Sequence, residues 1–371
     1  MRKRRLTVFI TAAALSLSAC SGSQTQESNT AQTSQQTAAA EIAGVEAADG
    51  TENSGEPGAE REDAQENEQD SAGDWASRAI EEGKVSSMEE LTFPIGEQVS
   101  GTFTGAAFLA PMIMNDETYH FPQTNNVTFE PGARSYWHSH GGMILVGTGG
   151  VGYYQEEGKP VQIIRKGDVV ECPEGVRHWH GAAPDNWFSQ MVIYDSHYTP
   201  ESEAPEAVEV SDEEYENLEF ADYTPQVAED NEFMFQKADT ALESDTFNGP
   251  AYVSNIIGED NVAGAPGLHY VVFNPGVINN WHTHEGGQIL IATDGIGYHQ
   301  IEGEPVQVLY PGDVALCPPG EKHWHGGSAD TSFAHIAVNT NPELTGLEWF
   351  DRISNEEYAG LPSEKPEEAQ Q

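Results

Sequence analysis

Thirteen histidines stand in this chain of 371 residues, and six of them fall into two matching constellations. His282-Thr283-His284 and His138-Ser139-His140 each put two histidines two positions apart. In an extended strand such residues point to one face, so each pair aims two imidazoles the same way. A third histidine follows 39 residues after His284, at His323, and 38 residues after His140, at His178. Each third histidine closes the same Pro-x-Gly-x-x-His run, from Pro318 and from Pro173. Three imidazoles from two strands make a site for a borderline cation such as Fe, Mn, Co, Ni, Cu or Zn. One His-x-His alone says little. The pair with its downstream partner, found twice in register, is a specific signal.

The elements that position these residues come from a duplication. Aligning 137–181 with 281–326 needs one gap and leaves 27 of 45 positions identical. Phe129-Glu130-Pro131-Gly132 recurs as Phe273-Asn274-Pro275-Gly276, and the exit from Ser211 to Tyr215 recurs from Ser354 to Tyr358. A period near 145 residues is a duplicated domain, not a solenoid unit. Within each copy, short apolar runs are broken by Gly, Pro, Asn and Asp, which predicts an all-β antiparallel sandwich or barrel. Helix is expected only at 75–90 and at the two exits. The acidic, turn-rich stretch 219–246 reads as a connector, or as short elements packed between the copies.

The run Pro275-Gly276…His282-x-His284-x-x-x-Gln288, then Gly312-Asp313…Pro318-x-Gly320-x-x-His323, resembles the two sequence motifs of the cupin superfamily. The resemblance covers roughly 103–218 and 247–361. It implies two tandem jelly-roll (double-stranded β-helix) barrels with a metal inside. Most cupins carry glutamate where this chain has Gln288. A His-His-Gln-His set resembles more narrowly the branch that includes the manganese-dependent cupin hydroxynitrile lyases. That branch implies His282, His284, Gln288 and His323 as ligands of Mn(II) or Fe(II), with Zn, Ni, Co or Cu as alternatives. It also implies a general acid/base at His335, where spacing alone reads a core histidine.

The first copy departs from this pattern. His138, His140 and His178 remain, but Met143 holds the fourth ligand position, the residue before the Gly-Gly is deleted, and Gln190 stands opposite His335. A thioether is a soft ligand and suits Mn or Fe(II) poorly. The first copy is therefore expected to hold a metal through three histidines without acid/base machinery, or to be mainly structural. His180 and His325 are expected to line the cavity or to act as donors behind the ligands, and Trp179 and Trp324 to pack on the opposite face. His299 and Tyr154 read as covers of a strand end. His269 and His120 read as structural or exposed.

The ends and the charge bound the setting. Arg2 to Arg5 precede an apolar run of 14 residues that ends at Leu17-Ser18-Ala19-Cys20. The run is too short to span a bilayer, and its end resembles the bacterial lipobox. Residues 1–20 are thus expected to be a lipoprotein signal, with Cys20 lipidated and the chain anchored on the extracytoplasmic face of a membrane. Residues 21–74 lack aromatics and read as a disordered polar tether. The organisation expected is then 75–218, first barrel; 219–246, connector; 247–361, second barrel; 362–371, tail. The net charge of −45 excludes nucleic acid as a partner. Cys172 and Cys317 sit at equivalent positions and read as buried thiols, with a disulfide as the alternative in an oxidising compartment.

The expected function is metal-assisted acid/base chemistry on a small organic molecule, as a hydroxynitrile-lyase-like lyase or an isomerase. With Fe, an oxygen-dependent cupin reaction is open. The competing reading is a surface protein that captures a metal or a metabolite without turnover. A third is a purely structural pair of domains.

Overall fold

The computed structural model describes residues 74–365, apart from 115, 196–197, 199–205, 229–230 and 243. The expected signal, tether and Cys20 anchor lie outside the described residues, as does most of the tail. No helix among the described residues is long and apolar enough to cross a membrane.

The protein is mostly β. Helix is limited, among the described residues, to Asp74–Glu82, a 3-10 turn at Met88–Glu90, Asp212–Glu216 and Asn355–Ala359. The last two are the matching exits. Ser211 Oγ accepts from Glu214 N, and Ser354 Oγ from Glu357 N, so each exit is a serine-capped turn of helix.

Each copy is a pair of curled antiparallel sheets. In the first, the strand Met143–Glu156 is the spine. Its opening half pairs with Phe188–Tyr194 and Val169–Cys172, and its closing half with His178–Ala182 and Gln162–Arg165. The second copy divides the same run into Gln288–Gly295 and Gly297–Ile301, one in each of two five-stranded sheets. Gly152 and Gly297 allow the curl. A Cβ on Gly297 would stand 2.3 Å from the Phe333 ring, and one on Gly152 2.2 Å from Phe188. Each phenylalanine lies flat on the main chain of the opposite wall, where only glycine leaves room.

Strand alternation sorts side chains between two cores. Leu145 points into the first barrel with Phe129 and Phe188, whereas its neighbours Ile144 and Val146 point out. Leu290 and Ala292 point into the second barrel with Phe273 and Phe333, whereas Ile289 and Ile291 point out. The two outward faces meet in one core that also holds Met191, Ile193, Ile336 and Val338. Burying each such side chain contributes about 1.5–3 kcal/mol, so this seam is a major part of the molecule's stability.

The connector packs into the seam without a helix or strand among its described residues. Met234 and Phe235 are buried there, and Phe235 meets Tyr270 edge-on at 5.1 Å. Asp294 ties the parts together: it accepts from Tyr270 Oη and Met234 N at 2.9 Å each and pairs with Lys166 at 3.1 Å.

Candidate metal centre

The second barrel brings all four expected ligand residues together. His282 and His323 are paired directly across neighbouring strands, with ring centres 4.1 Å apart. His284, two positions on from His282, lies 5.1 Å from it and 5.7 Å from His323. Gln288 Oε1 stands 3.0 Å from His323 Nε2. The amide's orientation is set from behind, because Gln288 Nε2 donates to Asn339 Oδ1 at 3.2 Å, which turns the oxygen inward. All four side chains are buried.

The ring tautomers follow from what lies behind each histidine. His282 Nδ1–H donates to Asn280 O at 3.0 Å, which leaves Nε2 with a lone pair. His323 Nδ1 lies 2.9 Å from Cys317 Sγ and 3.3 Å from Glu321 O, with the same result. Burial holds His284 down to about 4 and pushes His282 and His323 well below the ordinary histidine value. The imidazoles are therefore neutral lone-pair donors near pH 7, the form a metal needs. His284 Nε2 is buried with no hydrogen-bond partner. An orphaned ring nitrogen beside two other imidazoles and an inward carboxamide oxygen is a set that fits a divalent cation.

The first barrel gathers His138, His140 and His178 in the same way, with ring centres 4.4 to 5.3 Å apart. Their Nδ1 atoms contact the carbonyls of Tyr136, Gly141 and Val176. His178 Nε2 has no partner. Met143, however, belongs to the apolar cluster with Tyr154, Cys172 and Val192. Gln190 is fully buried and donates from Nε2 to His180 Nδ1 at 2.7 Å.

His180 and His325 do line these sites: ring nitrogens of His138, His178 and His180 lie within 4.8 Å of one another, and so do those of His282, His323 and His325. Trp179 and Trp324 pack on the far face, in separate apolar clusters. His335 is fully buried, stacked between Phe273 and Phe333, and meets His325 edge-on at 5.0 Å. Cys172 and Cys317 are free and buried, each against the third histidine of its own barrel, at 3.3 and 2.9 Å.

One reading needs correction. His299 and Tyr154 do not cover strand ends; they are 1% and 0% exposed. His299 sits opposite His325 in the strand pairing, so both face the barrel interior. Of the two alternatives for His269, structural or exposed, exposure is excluded: it is 8% exposed, and its Nδ1 contacts Asn255 Oδ1 at 2.6 Å. With His284, Asn339, Thr340 and Leu347 it lines a cavity of about 50 Å³ at the mouth of the second barrel. The alternation of its strand, Leu268–Phe273, was the available signal, but nothing in the sequence shows which end of the barrel opens.

The cupin domain family profile matches residues 269–338. The (R)-mandelonitrile lyase of Granulicella tundricola is 36% identical over 115 residues, which is 31% of this chain and 87% of that protein. The chain belongs to the cupin family. A cupin-like protein from Thermotoga maritima, of known structure, is 37% identical over 35% of this chain and 98% of its own, with a TM-score of 0.33. An oxalate decarboxylase variant from Bacillus subtilis covers 84% of this chain and 91% of its own at 15% identity and a TM-score of 0.41. In this cupin the histidine clusters of both barrels are sites that could hold a metal.

Proposed function

We propose that the second barrel is a metal-dependent enzyme centre that acts on a small organic molecule by acid/base chemistry, as a hydroxynitrile-lyase-like lyase or an isomerase. The observation that carries this reading is the convergence of His282, His284, Gln288 and His323, with His325 and His335 edge-on to each other beside them. His282, His284, Gln288 and His323 would hold the metal. Bound there, Mn(II) or Fe(II) would supply Lewis acidity toward a substrate oxygen. Three neutral imidazoles and a carboxamide leave the cation its full charge.

The chain's own residues do the rest. Phe273 and Phe333 fix the His335 ring, and both His335 nitrogens lack partners, so one can take a proton while the other keeps its own. In a lyase step of the kind named for the Granulicella relative, a substrate hydroxyl would lose its proton to this base as its C–O bond becomes a carbonyl. The bond to the leaving group would break, and the proton would return to the leaving group. The apolar barrel wall excludes water. The first barrel, with Met143 and Gln190, is assigned no catalysis. Cys20 is proposed as the lipid anchor that holds the folded part on the extracytoplasmic face of a membrane.

Elemental analysis of the wild type, His284→Ala and His140→Ala tests the metal assignment. The second-barrel variant is expected to lose one metal per chain. Screening hydroxynitriles with wild type and His335→Ala tests the enzyme reading: metal content should hold while turnover falls by about 100-fold or more. A wild type that turns over nothing and carries a tightly held ligand would establish the capture reading instead.

A further inference from the structure

The two barrels hold the same three imidazoles in different company. In the first, His138, His140 and His178 turn Nδ1 to the carbonyls of Tyr136, Gly141 and Val176 at 2.7, 2.6 and 2.9 Å. Each Nδ1 therefore keeps the ring proton, and each Nε2 is left with a lone pair. That of His178 is buried without a partner. Among the described residues, no carboxylate joins this group.

The oxygen donor of the second barrel is missing here, and so is the residue that aims it. Met143 pairs with Cys172 and Tyr194 in the register in which Gln288 pairs with Cys317 and Asn339. Met143 thus holds the place of Gln288, and Tyr194 the place of Asn339. Asn339 turns the Gln288 oxygen inward, whereas the Tyr194 hydroxyl is turned to Asn125 and accepts from its Nδ2 at 3.1 Å. Met143 is 2% exposed and clusters with Cys172 and Tyr154. Both of these border His178, the thiol at 3.3 Å from Nδ1 and the Tyr154 ring at 5.6 Å. A carboxamide and the carboxamide that orients it have been exchanged together, for a thioether and a phenol. The donor set has changed from nitrogen and oxygen to nitrogen and sulfur.

The approach to the two sites differs as well. Val208 N donates to Trp137 O as Phe350 N donates to Trp281 O, so Ala207 matches Trp349. Trp349 stacks on His282 at 4.6 Å, and His282 is 1% exposed. With Ala207 in that place, His138 and His140 are half-buried. An ion can reach the first barrel's imidazoles from solvent.

We propose that the first barrel is a copper(I) site, in which His138, His140 and His178 hold the ion and the Met143 thioether approaches it from the fourth side. Neutral imidazoles and a thioether suit this soft ion, whereas Mn(II) and Fe(II) favour the oxygen that Gln288 offers. The half-buried imidazoles let the first barrel take up and release its ion, and the two barrels sort two classes of metal.

The test supplies one equivalent each of copper(I) and Mn(II) to the metal-free full chain under nitrogen, with excess bicinchoninate to strip weakly held copper. Wild type, His140→Ala and His284→Ala are compared by elemental analysis. Copper is expected to stay in wild type and His284→Ala and to be lost from His140→Ala, and manganese to show the opposite pattern. Met143→Leu keeps the apolar volume and the fold, and should weaken copper(I) binding by about tenfold or more. X-ray absorption on copper-loaded His284→Ala protein should show a sulfur neighbour that disappears when Met143→Leu is added. Copper that stays in His140→Ala, copper that leaves with His284→Ala, or manganese that leaves with His140→Ala overturns the assignment. So does a copper affinity and sulfur signal indifferent to Met143→Leu. If His140→Ala loses its thermal transition, Met143→Leu decides alone.

Discussion

A histidine that ligates through Nε2 depends on what occupies its Nδ1, because that partner fixes both tautomer and ring angle. For His282 the partner is a carbonyl, but for His323 the nearest atom is a thiol, Cys317 Sγ at 2.9 Å. Burial pushes that thiol up to about 12, so it stays protonated and serves as a soft acceptor for Nδ1–H. Cys317→Ala is therefore expected to weaken metal binding by about 10- to 100-fold, read by chelator competition, with the fold intact. Unchanged affinity would reduce the sulfur to a packing role. The sequence placed His282, His284 and His323 from spacing alone, since i, i+2 alternation survives any uncertainty about register. It could not place His299. Only the pairing of His299 with His325 across two strands shows that the ring faces inward, and strand register is not written in spacing. Asn279 and Asn339 escaped notice for the same reason: their work is to orient other side chains, and no spacing advertises that.

At the scale of elements, the strands that hold the site are shaped by glycine. Phe333 lies against Gly297 and also stacks on His335 at 5.0 Å. Gly297→Ala would put a methyl group into that ring, so Phe333 must move, and His335 with it. The expected cost is about 1–3 kcal/mol, seen as a lower thermal midpoint, together with a drop in any turnover that needs His335. A variant with wild-type stability would show that the wall yields freely. The glycine and proline punctuation made the strand texture legible, and the serine-capped exits were legible as helix turns. The connector was legible only as two alternatives, a link or short elements packed between the copies. Its acidic composition suggests a solvated link, yet Met234 and Phe235 enter a core that exists only once both barrels are folded.

For the whole molecule, the buried histidines make stability depend on pH in a definite direction. Burial holds His138, His269 and His299 each to about 4 in the folded chain, against about 6.5 when unfolded. As pH falls below about 6.5, the unfolded chain binds protons that the folded chain refuses, so stability declines between about 6.5 and 4 and is level above that window. The thermal midpoint should fall by at least about 5 °C from pH 7 to pH 4.5. A midpoint that holds or rises across this range would contradict neutral, buried imidazoles.

The seam between the barrels bears on the chain's history. Ile144 and Val146 on one copy need Ile289 and Ile291 on the other, and a half-chain would present that apolar face to water. Once a doubled gene had buried this face, losing either half would have exposed the survivor. The first copy was thus at liberty to exchange a carboxamide for a thioether, drop a residue beside it and trade a histidine for glutamine. It could change its chemistry, but its place in the protein was secured by its outer surface.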